Sequence, residues 1–245
     1  MKNLSIKISS ILSLVLLWYI IYLIVDHPLL IPPISKVIET FFKMLIESSF
    51  LNALWHTAFR LIISLLISSV CGISLGYLSA KNKSVELVLR PHVTILKTIP
   101  VISVIIIMYI LVGYQIAPYV ITFFMIFPIF YQATYQGIKA INQDLLDVYH
   151  LEMENRYLEF KYVYLQNIKD YLILASYQSF GLGFKVLVTS EFITQTQNSI
   201  GKLLYQAKVN LAYDYVFAIT ILLIIITVLV EVFMSSFKKK MLQDT

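Results

Sequence analysis

Charge is what this sequence has least of. Basic and acidic side chains, 19 and 14 of them, make up only 13% of 245 residues, about half the share found in a soluble domain. Too few charges remain to cover a globular surface, so a soluble fold is excluded. The same scarcity argues against nucleic acid as a partner, although the net charge is +5. Cys71 is the single cysteine, which excludes a disulfide framework and any multi-cysteine metal site. His27, His56, His92 and His150 are scattered, and no two stand at metal-ligand spacing. No nucleophile and base constellation is visible. Seven glycines and seven prolines exclude collagen-like and low-complexity classes. Only Gly201 precedes a lysine, and Thr196 stands where a phosphate-cradling G-x-x-x-x-G-K loop needs its first glycine. Nothing in the chain points to an enzyme, and no cofactor is expected on it. The first alanine is Ala53 and the first glycine Gly72, so the apolar run at 8–25 has no small-residue cleavage site. That run reads as a retained span rather than a signal peptide.

What is present is apolar sequence in long runs. Hydrophobic residues make up 59% of the chain. Residues 61–80 carry no charge, and residues 98–138 carry none over 41 positions, about twice the 20 needed for one span. Gly113, Tyr114, Gln115 and Pro118 lie near the middle of the longer run, which predicts two helices joined by a tight hairpin. The expectation is an all-α integral membrane protein of one domain, 1–245. Its six spans are near 8–25, 58–80, 96–112, 117–138, 170–192 and 214–237. Backbone groups in lipid must be satisfied internally, and continuous runs do not suit a barrel. With the N-terminus inside, inner loops hold twelve basic residues and outer loops four. This bias places both termini in the cytoplasm.

Between the first two spans, Pro32-Pro33-Ile34-Ser35 leads into an amphipathic pattern with Ser35 as its expected N-cap. Val37, Ile38, Phe41, Phe42 and Leu45 form its apolar face, opposite Lys36, Glu39, Thr40 and Lys43. It reads as an outer helix on the membrane surface or against the bundle. Among intramembrane charges, Lys185 near the middle of span five and Glu191 at its outer end are functional suspects. Six residues turn a helix by about 600°, so these two do not share a face. With Thr189 and Tyr109 they make the candidate lining of a translocation path. Arg60 and His56 read as interface anchors at the outer end of span two.

The largest polar stretch is the expected cytoplasmic loop, 139–169. Two helix-compatible runs flank Glu154-Asn155-Arg156, and Leu145, Leu146, Val148, Tyr149 and Phe160 are too apolar for a free linker. Such a loop offers a docking surface.

At this point the chain resembles a family, the permease subunits of ATP-binding-cassette importers of the nitrate, sulfonate and taurine type. The resemblance rests on the order of several segments. Ile31 to Val37 is similar to the family's proline-rich lead into an outer helix, and Thr57, Arg60, Gly72 and Gly76 to its second span. Lys97-Thr98-Ile99-Pro100, Phe127-Pro128-Ile129-Phe130, Asn198-Ser199-Ile200-Gly201 and Asp214-Tyr215-Val216-Phe217-Ala218 resemble later segments. In the cytoplasmic signature, Asp147-Val148-Tyr149 stands for Glu-Ala-Ala, Met153 for the glycine and Gln166 for the proline. The acid is kept in kind, while Tyr149, Met153 and Gln166 depart from it.

The resemblance implies the type I importer permease fold and a loop that docks on a separate ATPase. Asp147, Tyr149, Glu152, Met153, Glu154, Asn155 and Arg156 are the candidate coupling residues. It also implies two ATPase subunits that bind ATP and magnesium, a second identical or related permease chain, and an extracytoplasmic solute-binding protein. The solute would be a sulfonate, nitrate, taurine, or a thiamine- or riboflavin-precursor-like heterocycle. Two other readings are a stand-alone secondary transporter and an intramembrane enzyme. The first predicts internal repeats and mid-membrane carboxylates, the second clustered polar groups within spans. Neither pattern is visible in the sequence.

Overall fold

A computed structural model describes residues 2–27, 30–142, 158 and 163–243. Among them there is no strand, and eight helices follow one another: α1 (Lys2–Val25), α2 (Ile34–Met44), α3 (Ser48–Lys81), α4 (Lys83–Thr98), α5 (Val101–Lys139), α6 (Leu165–Thr194), α7 (Ile200–Val209) and α8 (Tyr213–Gln243). Within the described residues, α3, α5, α6 and the Tyr213–Val230 part of α8 are long and apolar enough to cross a bilayer, and α1 adds the shorter apolar stretch Leu12–Val25.

Two of the expected spans lie in α5, which breaks at Gly113. There the backbone takes φ 76° and ψ 170°, a region open essentially to glycine alone. No atom lies within 4 Å of a Cβ built on Gly113, so conformation and not crowding requires glycine at this turn. The hairpin expected from Gly113, Tyr114 and Gln115 is therefore present.

The third expected span, 96–112, needs correction. The chain breaks at Ile99-Pro100, and residues 83–98 form a helix of their own where mostly inner loop was expected. Its charged residues Lys83, Glu86, Arg90 and Lys97 obscured it. Its start is nonetheless encoded, because Asn82 Oδ1 accepts from the amides of Ser84 at 2.9 Å and Val85 at 3.4 Å. Both α4 and residues 101–112 pack along the second part of α5. Val93 clusters with Phe127 and Tyr131, Lys97 Nζ donates to Gln132 Oε1 at 2.9 Å, and Val104 and Ile105 cluster with Ala117, Ile121 and Met125.

A stripe of small residues sets the central contact. Ser64 Oγ donates to the Tyr119 carbonyl and Ser68 Oγ to the Phe123 carbonyl, each at 3.3 Å and each 55 positions apart. A Cβ on Gly72 would meet Phe130 Cβ at 2.6 Å, and one on Gly76 the Tyr131 carbonyl oxygen at 2.6 Å. Ser64, Ser68, Gly72 and Gly76 thus run every four residues down one face of α3, bringing it backbone-close to α5. The constant offset makes α3 and the second part of α5 parallel. α6 runs antiparallel to them: Gly183 sits against Ile126, and Gly137 against Ile168.

A second core joins α2, α3, α6, α7 and α8 through Val37, Met44, Phe50, Leu61, Leu187, Ile200 and Ile219. Here α2 departs from expectation. Pro33, not Ser35, stands at its N-cap, with no side-chain cap bond. Val37 and Met44 turn inward, while Ile38 and Phe42 are exposed. Thr40, expected on the solvent side, donates to Asp214 Oδ2 at 2.8 Å and ties α2 to the start of α8. On the open face, a hydrogen bond from Lys43 holds the Glu39 carboxyl below the usual carboxylate range.

Candidate functional site

Three features of the bundle are candidates for function. The first is a buried clasp at the α7 end. Arg60 of α3 and Glu191 of α6 form an ion pair at 3.0 Å, with Glu191 fully enclosed and Arg60 6% exposed. Both oxygens of the Glu191 carboxylate have partners. Thr57 Oγ1 donates toward both Glu191 oxygens, at 3.1 and 3.0 Å. Arg60 also donates to the carbonyls of Gln197 at 2.9 Å and Asn198 at 3.1 Å. The Ile200 amide donates to Thr57 Oγ1 at 3.0 Å and the Gly201 amide to Glu191 Oε2 at 3.4 Å. The N-terminus of α7 thus points the Gly201 amide at the carboxylate, a favourable electrostatic arrangement. Ser199 caps that helix by accepting from the Lys202 amide at 3.0 Å.

Local sequence explains why the clasp closes. α6 ends in left-handed Gln195, φ 51°, and Asn198 follows at φ 49°. These two reversals bring α7 back onto α6. The return is so close that a Cβ on Gly201 would overlap the Phe192 amide nitrogen and Glu191 Cβ. Pro118 has no N–H to give the Tyr114 carbonyl four residues earlier. Thr196 Oγ1 supplies that bond at 2.7 Å, tying the α6–α7 turn to the Gly113 hairpin. Arg60 is therefore a buried tie between helices rather than the interface anchor expected. Glu191, expected to line a path, is enclosed in the clasp.

The second feature is an open-sided groove between α6 and α8. Lys185 lines both of its lobes, of about 310 and 420 Å³. Thr189, one turn along α6, lines the larger lobe, opposite Thr220 and Thr227 of α8. The remaining walls are chiefly apolar, Phe184, Val188, Leu223 and Ile224 among them. Lys185 has no carboxylate within 4.0 Å among the described residues. Of the four residues expected to line a path, the structure brings together Lys185 and Thr189. Tyr109 is 47% exposed on α5 and is not among the groove's lining residues.

The third feature is formed by the two ends of the expected coupling loop. Ile138 and Ile141 at its start, and Val163, Tyr164 and Ile168 towards its end, share one buried cluster with Ala80 at the end of α3. The Tyr164 ring meets Tyr77 edge-on at 5.7 Å, and the Lys81 ammonium lies 4.1 Å from its centroid. α3, α5 and α6 are thus joined where the loop begins and ends. Asp147, Tyr149, Glu152, Met153, Glu154, Asn155 and Arg156 lie outside the described residues.

Sequence reasoning missed the Thr57–Arg60–Glu191 clasp as a unit. Its signal was an arginine and a glutamate, each inside a long apolar run, where an unpaired charge is costly. No group of three or more His, Cys, Asp or Glu able to hold a metal occurs among the described residues.

Residues 72–243 match the family described as the inner membrane component of binding-protein-dependent transport systems. The chain is also 23% identical over 221 residues to the putative aliphatic sulfonates transport permease protein SsuC of Bacillus subtilis (strain 168), covering 87% of this chain and 77% of that protein. With its long apolar helices, the chain is a multi-pass protein of the inner, or plasma, membrane and a permease component of an importer. It belongs to the family of binding-protein-dependent transport system inner membrane components.

Proposed function

We propose that this chain forms half of the membrane pore of an ATP-driven importer, with a second identical or related permease chain as the other half. The observation that carries this reading is the family match over residues 72–243, which includes α5, α6 and the whole 139–169 segment. Two ATPase subunits bind ATP and magnesium and dock on that segment through Asp147, Tyr149, Glu152, Met153, Glu154, Asn155 and Arg156. An extracytoplasmic binding protein delivers the solute to the α7 end. The joint cluster of Ala80, Ile138 and Tyr164 supports coupling, because a push on the segment reaches α3, α5 and α6 together. Their motion is a rigid-body transition between outward and inward openings.

The topology proposed has six spans and both termini in the cytoplasm. α4 with residues 101–112 makes the third span, broken at Pro100, and residues 114–139 make the fourth. The parallel packing of α3 on the fourth span and the antiparallel packing of α6 support this alternation of directions. The path follows the face of α6 bearing Lys185 and Thr189. The solute is small, and the SsuC relative makes an aliphatic sulfonate the first candidate. Nitrate, taurine and thiamine- or riboflavin-precursor-like heterocycles come next.

Cysteines at Tyr149 or Met153 test the docking reading directly. They should crosslink to the co-purified ATPase, and crosslinking at neither site would contradict the docking.

A further inference from the structure

We propose that the α6–α8 groove contains an anion subsite centred on Lys185, so that the permease itself, and not only its delivery protein, selects for a negatively charged head group. This rests on the permease reading above. The subsite lies within a helix that the sequence and length mark as membrane-crossing. Lys185 stands nine residues from the end of α6 and twenty from its start, about 14 and 30 Å along the axis. Side chains on a helix lean toward its N-terminus. Lys185 therefore leans toward the distant end of α6, away from the nearer one, and reaching water by snorkelling is disfavoured. A lysine at this depth is costly without a partner.

The protein offers no anionic partner among the described residues. The threonine hydroxyls that share the groove are already committed as donors, each to the carbonyl one turn back in its own helix, while Tyr177 and Gln178 line the smaller lobe. Thr189 donates to Lys185, Thr220 to Val216 and Thr227 to Leu223, all at 2.8 Å. What remains is an ammonium with three N–H donors, facing a cavity large enough for a small solute. The complement is a compact head group with several acceptor oxygens and one negative charge, which a sulfonate has. Phe184, Val188, Leu223 and Ile224 give its aliphatic remainder an apolar wall. A lipid acyl chain in the groove has no acceptor and would leave the ammonium unpaired.

The experiment uses the complete transporter in proteoliposomes with radiolabelled ethanesulfonate, alongside a thermal-shift titration of the purified permease complex with the same compound. Assembly of every variant is checked by ATPase co-purification. The wild type should import ethanesulfonate and be stabilised by it, while a neutral sulfone of the same size does neither. K185M should lower uptake by at least about tenfold, the range expected for losing a hydrogen bond to a charged group, and abolish the thermal shift. K185R should retain most of both. Wild-type uptake and thermal shift in K185M would overturn the subsite and leave the permease reading intact. So would import of the neutral sulfone as readily as of the anion. Failure of the wild type to associate with any ATPase would instead overturn the permease reading. In that case the thermal shift, and its loss in K185M, still decides the subsite.

Discussion

Arg60 and Glu191, 131 positions apart in the chain, meet at 3.0 Å in a pocket where the carboxylate is fully enclosed. Because both are buried, removing one strands the other. R60A or E191A should destabilise the protein by about 3–5 kcal/mol. E191Q keeps an acceptor for Thr57 and should cost less than E191A. Replacing both with apolar residues, as in R60M/E191M, should recover part of the loss. Thermal unfolding in detergent measures each difference. A double variant no more stable than the worse single one would show that the carbonyl bonds of Arg60 matter more than the pair.

The Thr196 bond to the Tyr114 carbonyl exists because Pro118 cannot make it. T196V should therefore cost about 0.5–1.5 kcal/mol, the net worth of one hydrogen bond to a part-buried acceptor. P118A restores an amide that can reach the same carbonyl, so T196V should cost much less in a P118A background. Equal costs in both backgrounds would contradict this division of labour.

Three glycines should behave differently on substitution by alanine. G201A forces a Cβ into the Phe192 and Glu191 backbone region and should prevent α7 from docking, lowering the yield of folded protein sharply. G113A meets no neighbour within 4 Å but keeps φ at 76°, and should cost about 1–3 kcal/mol of strain. Gly181 has neither neighbours nor a positive φ, so G181A should be neutral or stabilising by up to about 1 kcal/mol. Thermal stability ranked in any other order would undermine these assignments.

Much of the fold was legible in runs and punctuation. Uncharged stretches marked the long helices, and Gly113 marked the turn inside α5. The amphipathic repeat found α2, although Thr40 and Ile38 exchanged the faces assigned to them, because Asp214 of α8 supplies a partner that no local pattern reveals. α4 was lost because span detection looks for absent charge, and Lys83, Glu86, Arg90 and Lys97 lie along it. Asn82 at its start was the readable signal. The clasp was illegible for a different reason. Arg60 and Glu191 each show their charge in the sequence, but their pairing depends on how α3 and α6 rotate about their axes. That rotation is set by contacts such as Gly183 on Ile126, far away in the sequence. Lys185 and Thr189 could be read as neighbours from their spacing of four, whereas the wall opposite them, Thr220 and Thr227, came only with the fold.

The proposed topology predicts opposite labelling of two lysines, half-buried Lys202 and exposed Lys83. K202C on α7 should react with a membrane-impermeant maleimide in intact cells, and K83C at the start of α4 only after the membrane is opened. Labelling of K83C from outside would invert the orientation.

Transport in proteoliposomes that contain the permease, its ATPase partners and its binding protein tests the central claim most directly. Uptake of the solute should require ATP and stop when the ATPase subunits carry an inactivating substitution, with the permease still assembled and inserted. Continued uptake by the permease alone, without ATP hydrolysis, would contradict the account.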